Sequence, residues 1–277
     1  MSRFPRIESR QNHRIKGLVK LRSAKERRAQ DVFLVEGELE LTRATKADLH
    51  LGELYLCPEL WRDADAANVI ITSAEQQRAK VFELTREVFE KISLREGPDG
   101  LLGVARQRET ALSRLTLPEA PLLVIVEKIE KPGNLGALIR SAEAVGADAL
   151  IACDPVTDFY NPQVIRNSRG LVFSLPCIST TQAELDDWLS AKGIQVAATT
   201  PDTEIAHWDA DLSGPVAILA GAEHEGLSDF WLQRAELKLK IPMRGLADSL
   251  NVNTATAIVL FEALRQRAAG SYVNAAD

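Results

Sequence analysis

Three stretches of this sequence place chemically capable side chains where apolar runs end. The first follows the run Leu122 to Val126 and reads Glu127-Lys128-Ile129-Glu130-Lys131-Pro132-Gly133-Asn134-Leu135-Gly136, continuing to Arg140. Pro132-Gly133 reads as a turn and Asn134 as the cap of the helix that follows. Gly136 leaves the backbone bare for close approach. Arg140 carries a permanent cation with forked donors, or simply covers the flank of that helix. The second stretch runs from Gly221 to Ser228, after the apolar run Val216 to Ala220. Two glycines around Glu223, His224 and Glu225 suit a tight loop against a ligand, or an ordinary strand-to-helix connection. The third runs from Ile241-Pro242-Met243 to Asn253. Ser249 there is a good helix cap, which alone could explain it. Asn251 and Asn253 fall in the first helical turns, where asparagine is a poor choice on propensity. Guanidinium, hydroxyl and amide groups at strand ends can hold and polarise a polar ligand, and in open α/β sheets strand ends are where ligands bind.

The elements that would position them follow from periodicity. The runs Leu122 to Val126, Ala149 to Ala152, Gln195 to Thr199, Val216 to Ala220 and Leu237 to Ile241 are nearly continuous and apolar, as in a parallel sheet covered on both faces. A last helix is expected from about Leu250 to Ala268. Upstream, Asn12 to about Arg28 reads as one basic amphipathic helix. Val32 to Val35, Glu53 to Leu56, Val69 to Ile71 and Leu101 to Ala105 read as strands with helices between them. Residues 106–120, polar and proline-flanked, read as a linker between a domain at 1–105 and one at 121–277.

The 277 residues are 45% hydrophobic and 26% charged, enough for two globular domains with sizeable cores. Arg3, Arg6 and Arg10 interrupt the N-terminus, and no stretch approaches the ~20 apolar residues of a membrane span. No membrane association is expected, and the cytoplasm is the expected location. Cys57, Cys153 and Cys177 read as reduced thiols, and the four histidines lack metal-ligand spacing, so no metal is assigned. The net charge of −6 argues against a nucleic-acid partner, but its distribution argues for one. Residues 1–30 hold ten basic and two acidic side chains, a local +8 against −14 for the remainder. A basic segment on an acidic body is a phosphate-contacting device or a solvated helix face.

Taken together, the three stretches resemble the signature motifs of SpoU-like (SPOUT) 2′-O-ribose RNA methyltransferases. The matching residues are Asn134, Gly136 and Arg140; then Gly221, Glu223, Gly226 and Leu227; then Ile241, Pro242, Met243, Ser249, Leu250 and Asn251. The likeness is strong over residues 120–268. It is weaker over residues 6–105, where the basic helix and Phe33-Leu34-Val35-Glu36-Gly37 resemble a ribosomal-protein-like substrate-binding domain. The resemblance implies an α/β fold: a trefoil-knotted parallel-sheet methyltransferase domain behind a smaller α/β RNA-binding domain. It also implies a homodimer and S-adenosylmethionine as cofactor. Ordinary topology rules would have excluded the knot. Cofactor contacts map to Gly221, Ile241 and Leu250, with Thr199 as a further candidate. Catalytic roles map to Asn134, Arg140, Ser249 and Asn251, and Glu223 supports the active-site loop. Asn253 stands where many members have serine, and His224 enlarges the second motif.

The implied reaction is methyl transfer to a ribose 2′-hydroxyl. The family's motif-one arginine is described as its base, but a guanidinium stays protonated in nearly all protein sites. Arg140 gripping a neighbouring phosphate or polarising the hydroxyl is the better physical reading. Ribosomal RNA is the expected substrate, because the appended domain is typical of that branch; transfer RNA is the alternative. Arg10, Arg14, Lys16, Lys20 and Arg22 are the expected phosphate contacts. A nucleotide-dependent oxidoreductase would need a G-x-G-x-x-G after its first strand, which is absent. A non-catalytic RNA-binding relative would have no reason to keep Arg140, Glu223 and Asn251.

Overall fold

The computed structural model describes residues 3–221, 226–247 and 249–272, with side chains through Ala268. The chain forms two compact units, residues 1–109 with 158–174, and residues 110–157 with 175–277.

The first unit is built on a five-stranded mixed sheet. Its strands are β1 (Arg6–Ile7), β2 (Val32–Glu36), β3 (Leu51–Leu56), β4 (Lys80–Leu84) and β5 (Leu101–Arg106), in the order β1-β4-β3-β5-β2. β5 runs antiparallel to both its neighbours and the other pairings are parallel. The helices are α1 (His13–Lys20), α2 (Ala24–Gln30), α3 (Glu38–Lys46), α4 (Ala64–Gln76) and α5 (Arg86–Ile92). Ile15 and Leu18 of α1 pack with Leu34, Tyr55, Phe89 and Leu102 in one buried cluster.

Two expectations change here. The basic helix expected from Asn12 to Arg28 is two helices, because Leu21–Ser23 breaks it and Ser23 adopts an extended conformation as the next N-cap. Val69 to Ile71, expected as a strand, lies inside α4. Asp63 caps that helix, accepting from the backbone of Asp65 and Ala66, and Ala67, Ile70, Ile71 and Ala74 bury at helical spacing. The strand of that region is β4, whose Lys-Val-Phe-Glu-Leu sequence is only partly apolar.

Buried charge is a feature of this unit. Arg27, 2% exposed, donates to Asp158 at 2.6 Å and to the carbonyls of Leu21 and Arg22. Arg95 sits among Glu36, Glu40 and Asp99. Burial pushes the Glu36 carboxyl up, although Ser93 Oγ and Leu94 N donate to it.

The second unit is a six-stranded sheet in which every pairing is parallel. Its elements are β6 (Leu122–Glu127), α6 (Pro132–Ala144), β7 (Ala149–Cys153), β8 (Cys177–Thr180), α8 (Gln182–Lys192), β9 (Gln195–Thr199), β10 (Val216–Ala220), α9 (Asp229–Arg234), β11 (Leu237–Leu239) and α10 (Val252–Tyr272). The short helix α7 (Pro162–Asn167) falls between β7 and β8 in sequence and belongs to the first unit. The strand order is β11-β9-β10-β6-β7-β8. β6, β7 and β10 are buried along their whole length, as their continuous apolar runs require. β8 was not anticipated; its four residues give too short a run to read.

The thiols are inert. Burial pushes Cys57 up to about 11 and Cys153 to about 12, and Cys177 higher still, so none is a thiolate at neutral pH. No described helix is long and apolar enough to cross a membrane.

Candidate active site

The sheet of the second unit brings four strand ends together. β11, β9, β10 and β6 are consecutive neighbours, and all point the same way. Thr199 ends β9 opposite Leu239 of β11, and its hydroxyl donates to Leu219 O at 3.1 Å. Gly221 directly follows β10, and Ile241, half-buried, lies two residues beyond β11. The expected cofactor residues Thr199, Gly221 and Ile241 therefore converge on one edge.

Gly221 has a steric reason to be glycine. A Cβ there would occupy the space of the Gly226 carbonyl and the Leu227 amide. Gly226 itself adopts a left-handed φ of 69°. The backbone of Gly226 and Leu227 thus lies against the end of β10. Glu223 and His224 lie outside the described residues.

The loop is also tied to the neighbouring strand. Glu127, the last residue of β6 and 1% exposed, accepts from Ser228 N at 2.8 Å through one carboxylate oxygen. Its other oxygen is buried with no protein partner among the described residues. Sequence reading gave Glu127 no role. The available signal was a carboxylate closing an otherwise apolar strand.

The helix after β6 starts differently from the expectation. Lys131 is the N-cap of α6, Pro132 is its first residue rather than part of a turn, and Asn134 lies inside the first turn. Proline suits that place because its fixed φ is already helical and its missing N–H has no helical partner to lose. Leu135, Leu138, Ile139 and Ala142 bury one face. Arg140 points off that face, exposed and without a side-chain partner among the described residues.

Helix α10 also begins later than expected. Asn251, not Ser249, is its cap: its carbonyl accepts from Ala255 N at 2.9 Å and its Oδ1 from Asn253 N at 3.0 Å. The asparagines that propensity disfavours are explained by contact. Asn251 Nδ2 donates to Asn134 Oδ1 at 3.4 Å, and Ser141 Oγ donates to Asn253 Oδ1 at 2.9 Å. Asn134 and Asn251 thus join the N-terminal turns of α6 and α10 with side chains from the first and third motifs, and Ser141, about two turns further along α6, adds a second link. Ser249 and Leu250 precede α10 and are exposed, Leu250 at 36%.

The basic residues of the first unit divide into two groups. Arg10 bonds Glu87, Arg14 pairs with Glu53 at 2.5 Å with its guanidinium over Phe82, and Arg22 donates to the carbonyls of Lys91 and Ser93. Lys16 and Lys20 are exposed and unpartnered among the described residues.

Comparison with known proteins fits this geometry. Residues 121–261 match the SpoU rRNA Methylase family and residues 12–103 an MRM3-like substrate binding domain. A Streptomyces viridochromogenes 23S rRNA uridine 2′-O-methyltransferase is 34% identical over 74% of this chain and 72% of its own. A crystal structure of an RNA 2′-O ribose methyltransferase superposes with a TM-score of 0.81 at 40% identity, covering 95% of this chain and 99% of the other. An AdoMet-bound rRNA methyltransferase from Sinorhizobium meliloti gives a TM-score of 0.88 at 28% identity, covering 95% and 98%. The chain belongs to the SpoU rRNA methylase family.

Proposed function

We propose that this protein transfers the methyl group of S-adenosylmethionine to a ribose 2′-hydroxyl of ribosomal RNA. The observation that carries the reading is the Asn134–Asn251 contact joining the starts of α6 and α10, with Arg140 further along α6 exposed and without a side-chain partner among the described residues. Two relatives with guanosine and uridine in their names share the 2′-oxygen as target, which suits a site addressed to the sugar.

The edge fits the cofactor. Ile241 and Leu250 offer partly exposed apolar surface, and Gly221, buried at the end of β10, lets the backbone of Gly226 and Leu227 pack close against that strand end. Gly221, Ile241, Leu250 and Thr199 would hold it, and it supplies an already activated methyl group. Asn134, Ser249 and Asn251 hold the ribose. Arg140 grips the adjacent phosphate or polarises the hydroxyl, and the proton leaves to phosphate or water. Fixing the hydroxyl in line supplies much of the rate, up to ~7–11 kcal/mol in the best-oriented cases. Glu223 supports the loop.

The first unit captures the RNA, with Lys16 and Lys20 as phosphate contacts and Arg10, Arg14 and Arg22 shaping the surface around them. The working form is a cytoplasmic homodimer with the family's trefoil knot. Support for the dimer is the apolar surface of the second unit, where Leu246 is fully exposed and Phe261 51% exposed. Calorimetry with S-adenosylhomocysteine tests the cofactor assignment. Binding in the roughly micromolar range is expected, and no heat of binding to the folded chain would overturn it.

A further inference from the structure

We propose that the recess between α1 and the sheet of the first unit is a groove for single-stranded RNA. One nucleotide seats in the recess and its flanking phosphates lie on the rim. The inference deepens the function proposed above and rests on its RNA substrate.

The recess has a volume of about 500 Å³. Recesses of that size commonly hold small ligands. Its first bank is α1, from which His13 and Gly17 line it. Lys16 and Lys20 share the helix face of His13 and Gly17, by the three- and four-residue spacing that aligns side chains. The second bank is one end of the sheet, with His50, Lys80 and Arg106. All three are exposed, and none has a side-chain partner among the described residues. Arg14 and Glu53 also line the recess, but they neutralise each other at 2.5 Å, and Tyr55 donates its hydroxyl to Glu53. That leaves Lys80 and Arg106 without a partner in the lining among the described residues, with Lys16 and Lys20 unpartnered on the same helix beside it, in a chain whose net charge is −6. Concentrated positive charge on an acidic chain selects a polyanion.

Gly17 points the same way. It sits in the middle of α1, where glycine costs about 1 kcal/mol relative to alanine. Its φ is not positive, and a Cβ there would meet nothing within 4 Å. Neither backbone conformation nor packing within the chain asks for glycine. A ligand lying against the helix backbone does. A convex duplex cannot enter the recess, whereas an unstacked nucleotide can, and the exposed imidazoles of His13 and His50 offer rings to a splayed base.

The test uses the full-length protein without cofactor and a labelled single-stranded RNA of mixed sequence, read by fluorescence anisotropy. Two variants are compared with the parent, Gly17→Leu and the double Lys80→Gln/Arg106→Gln. Gly17→Leu fills the recess at a position with open space, so the Tm should not fall and S-adenosylhomocysteine binding should not change. Each variant should weaken RNA binding at least about tenfold. Gly17→Ala should weaken it less than Gly17→Leu. Parental RNA affinity in both variants would overturn the groove. So would an RNA duplex or polyglutamate competing as well as the single strand. A chain that binds S-adenosylhomocysteine but keeps RNA affinity in both variants sinks the groove alone. A chain that loses RNA in both variants but never binds S-adenosylhomocysteine sinks the methyl-transfer reading and leaves the groove.

Discussion

The two units engage most of their arginines, and the contrast between them lies in one buried arginine and one exposed one. In the first, most arginines that look available are engaged internally. Arg27 is buried against Asp158, Arg95 lies among three acids, and Arg14 pairs with Glu53. In the second, Arg234, Arg265 and Arg267 are engaged as well, but Arg140, on the helix after β6, is exposed and without a side-chain partner among the described residues. A buried, engaged charge holds a fold together, whereas an unengaged one on a rigid scaffold is free for a ligand. Counting basic residues along the sequence does not separate the two, because the count ignores the partner.

Substituting one arginine from each unit tests the contrast most sharply. Arg140→Ala should cut methyl transfer on the order of a thousandfold, leaving thermal stability and S-adenosylhomocysteine affinity near parental values. Retained turnover would remove Arg140 from the site. Arg140→Lys keeps charge but loses the fork, so appreciable residual activity there would show that charge suffices. Arg27→Ala should do the reverse. It strips Asp158 of its buried partner and should cost about 3–5 kcal/mol of stability in a denaturant titration. A stability loss under 1 kcal/mol would mean that the pair is not structural.

Glu127 bridges the two behaviours, being buried and yet bonded to the Ser228 amide beside the candidate cofactor loop. Glu127→Ala leaves the Ser228 amide without its acceptor. It should cost about 1–3 kcal/mol and weaken S-adenosylhomocysteine binding by a similar margin. Glu127→Gln keeps an acceptor oxygen and should restore most of the affinity. Equal losses in both variants would contradict a positioning role through that hydrogen bond.

The smallest effect separates free from engaged cations within the first unit. Removing Lys16 and Lys20 should lower the log–log salt slope of RNA binding by roughly 0.7–0.9 per lysine. Arg14→Gln should hardly change the slope, because Glu53 already neutralises that guanidinium. A larger slope change from Arg14 than from the lysines would reverse the assignment.

The fold was legible where pattern and environment agreed. Continuous apolar runs marked β6, β7, β9 and β10, because strands covered on both faces admit little else. Pattern failed where tertiary context outweighed it. Val69-Ile70-Ile71 is a strand-like run, but the Asp63 cap and the burial of Ala67, Ile70, Ile71 and Ala74 make it helix. β4 mixes charge with apolar residues, and β8 is four residues long. Nothing local signals that residues 158–174 pack with the first unit, because that depends on partners far away in sequence, such as Arg27 for Asp158. At the site, Asn251 and Asn253 stood out because asparagine is a poor choice within the first helical turns, and Asn134 and Arg140 because they match the motifs the sequence resembles. Asn251 was legible as a candidate site residue but not as the cap, since Ser249 has equal capping chemistry two residues earlier. Glu127 was invisible because a single carboxylate at a strand end is commonplace until its burial is known.

The proposed reaction is transfer to the 2′-oxygen of ribosomal RNA. It is tested by incubating the full-length protein with methyl-labelled S-adenosylmethionine and ribosomal RNA that this enzyme has not modified, then digesting the product to nucleosides. Label in a single 2′-O-methylnucleoside, absent with the Arg140→Ala protein, is the predicted result. Label on a base, or none in ribosomal RNA, would contradict the account.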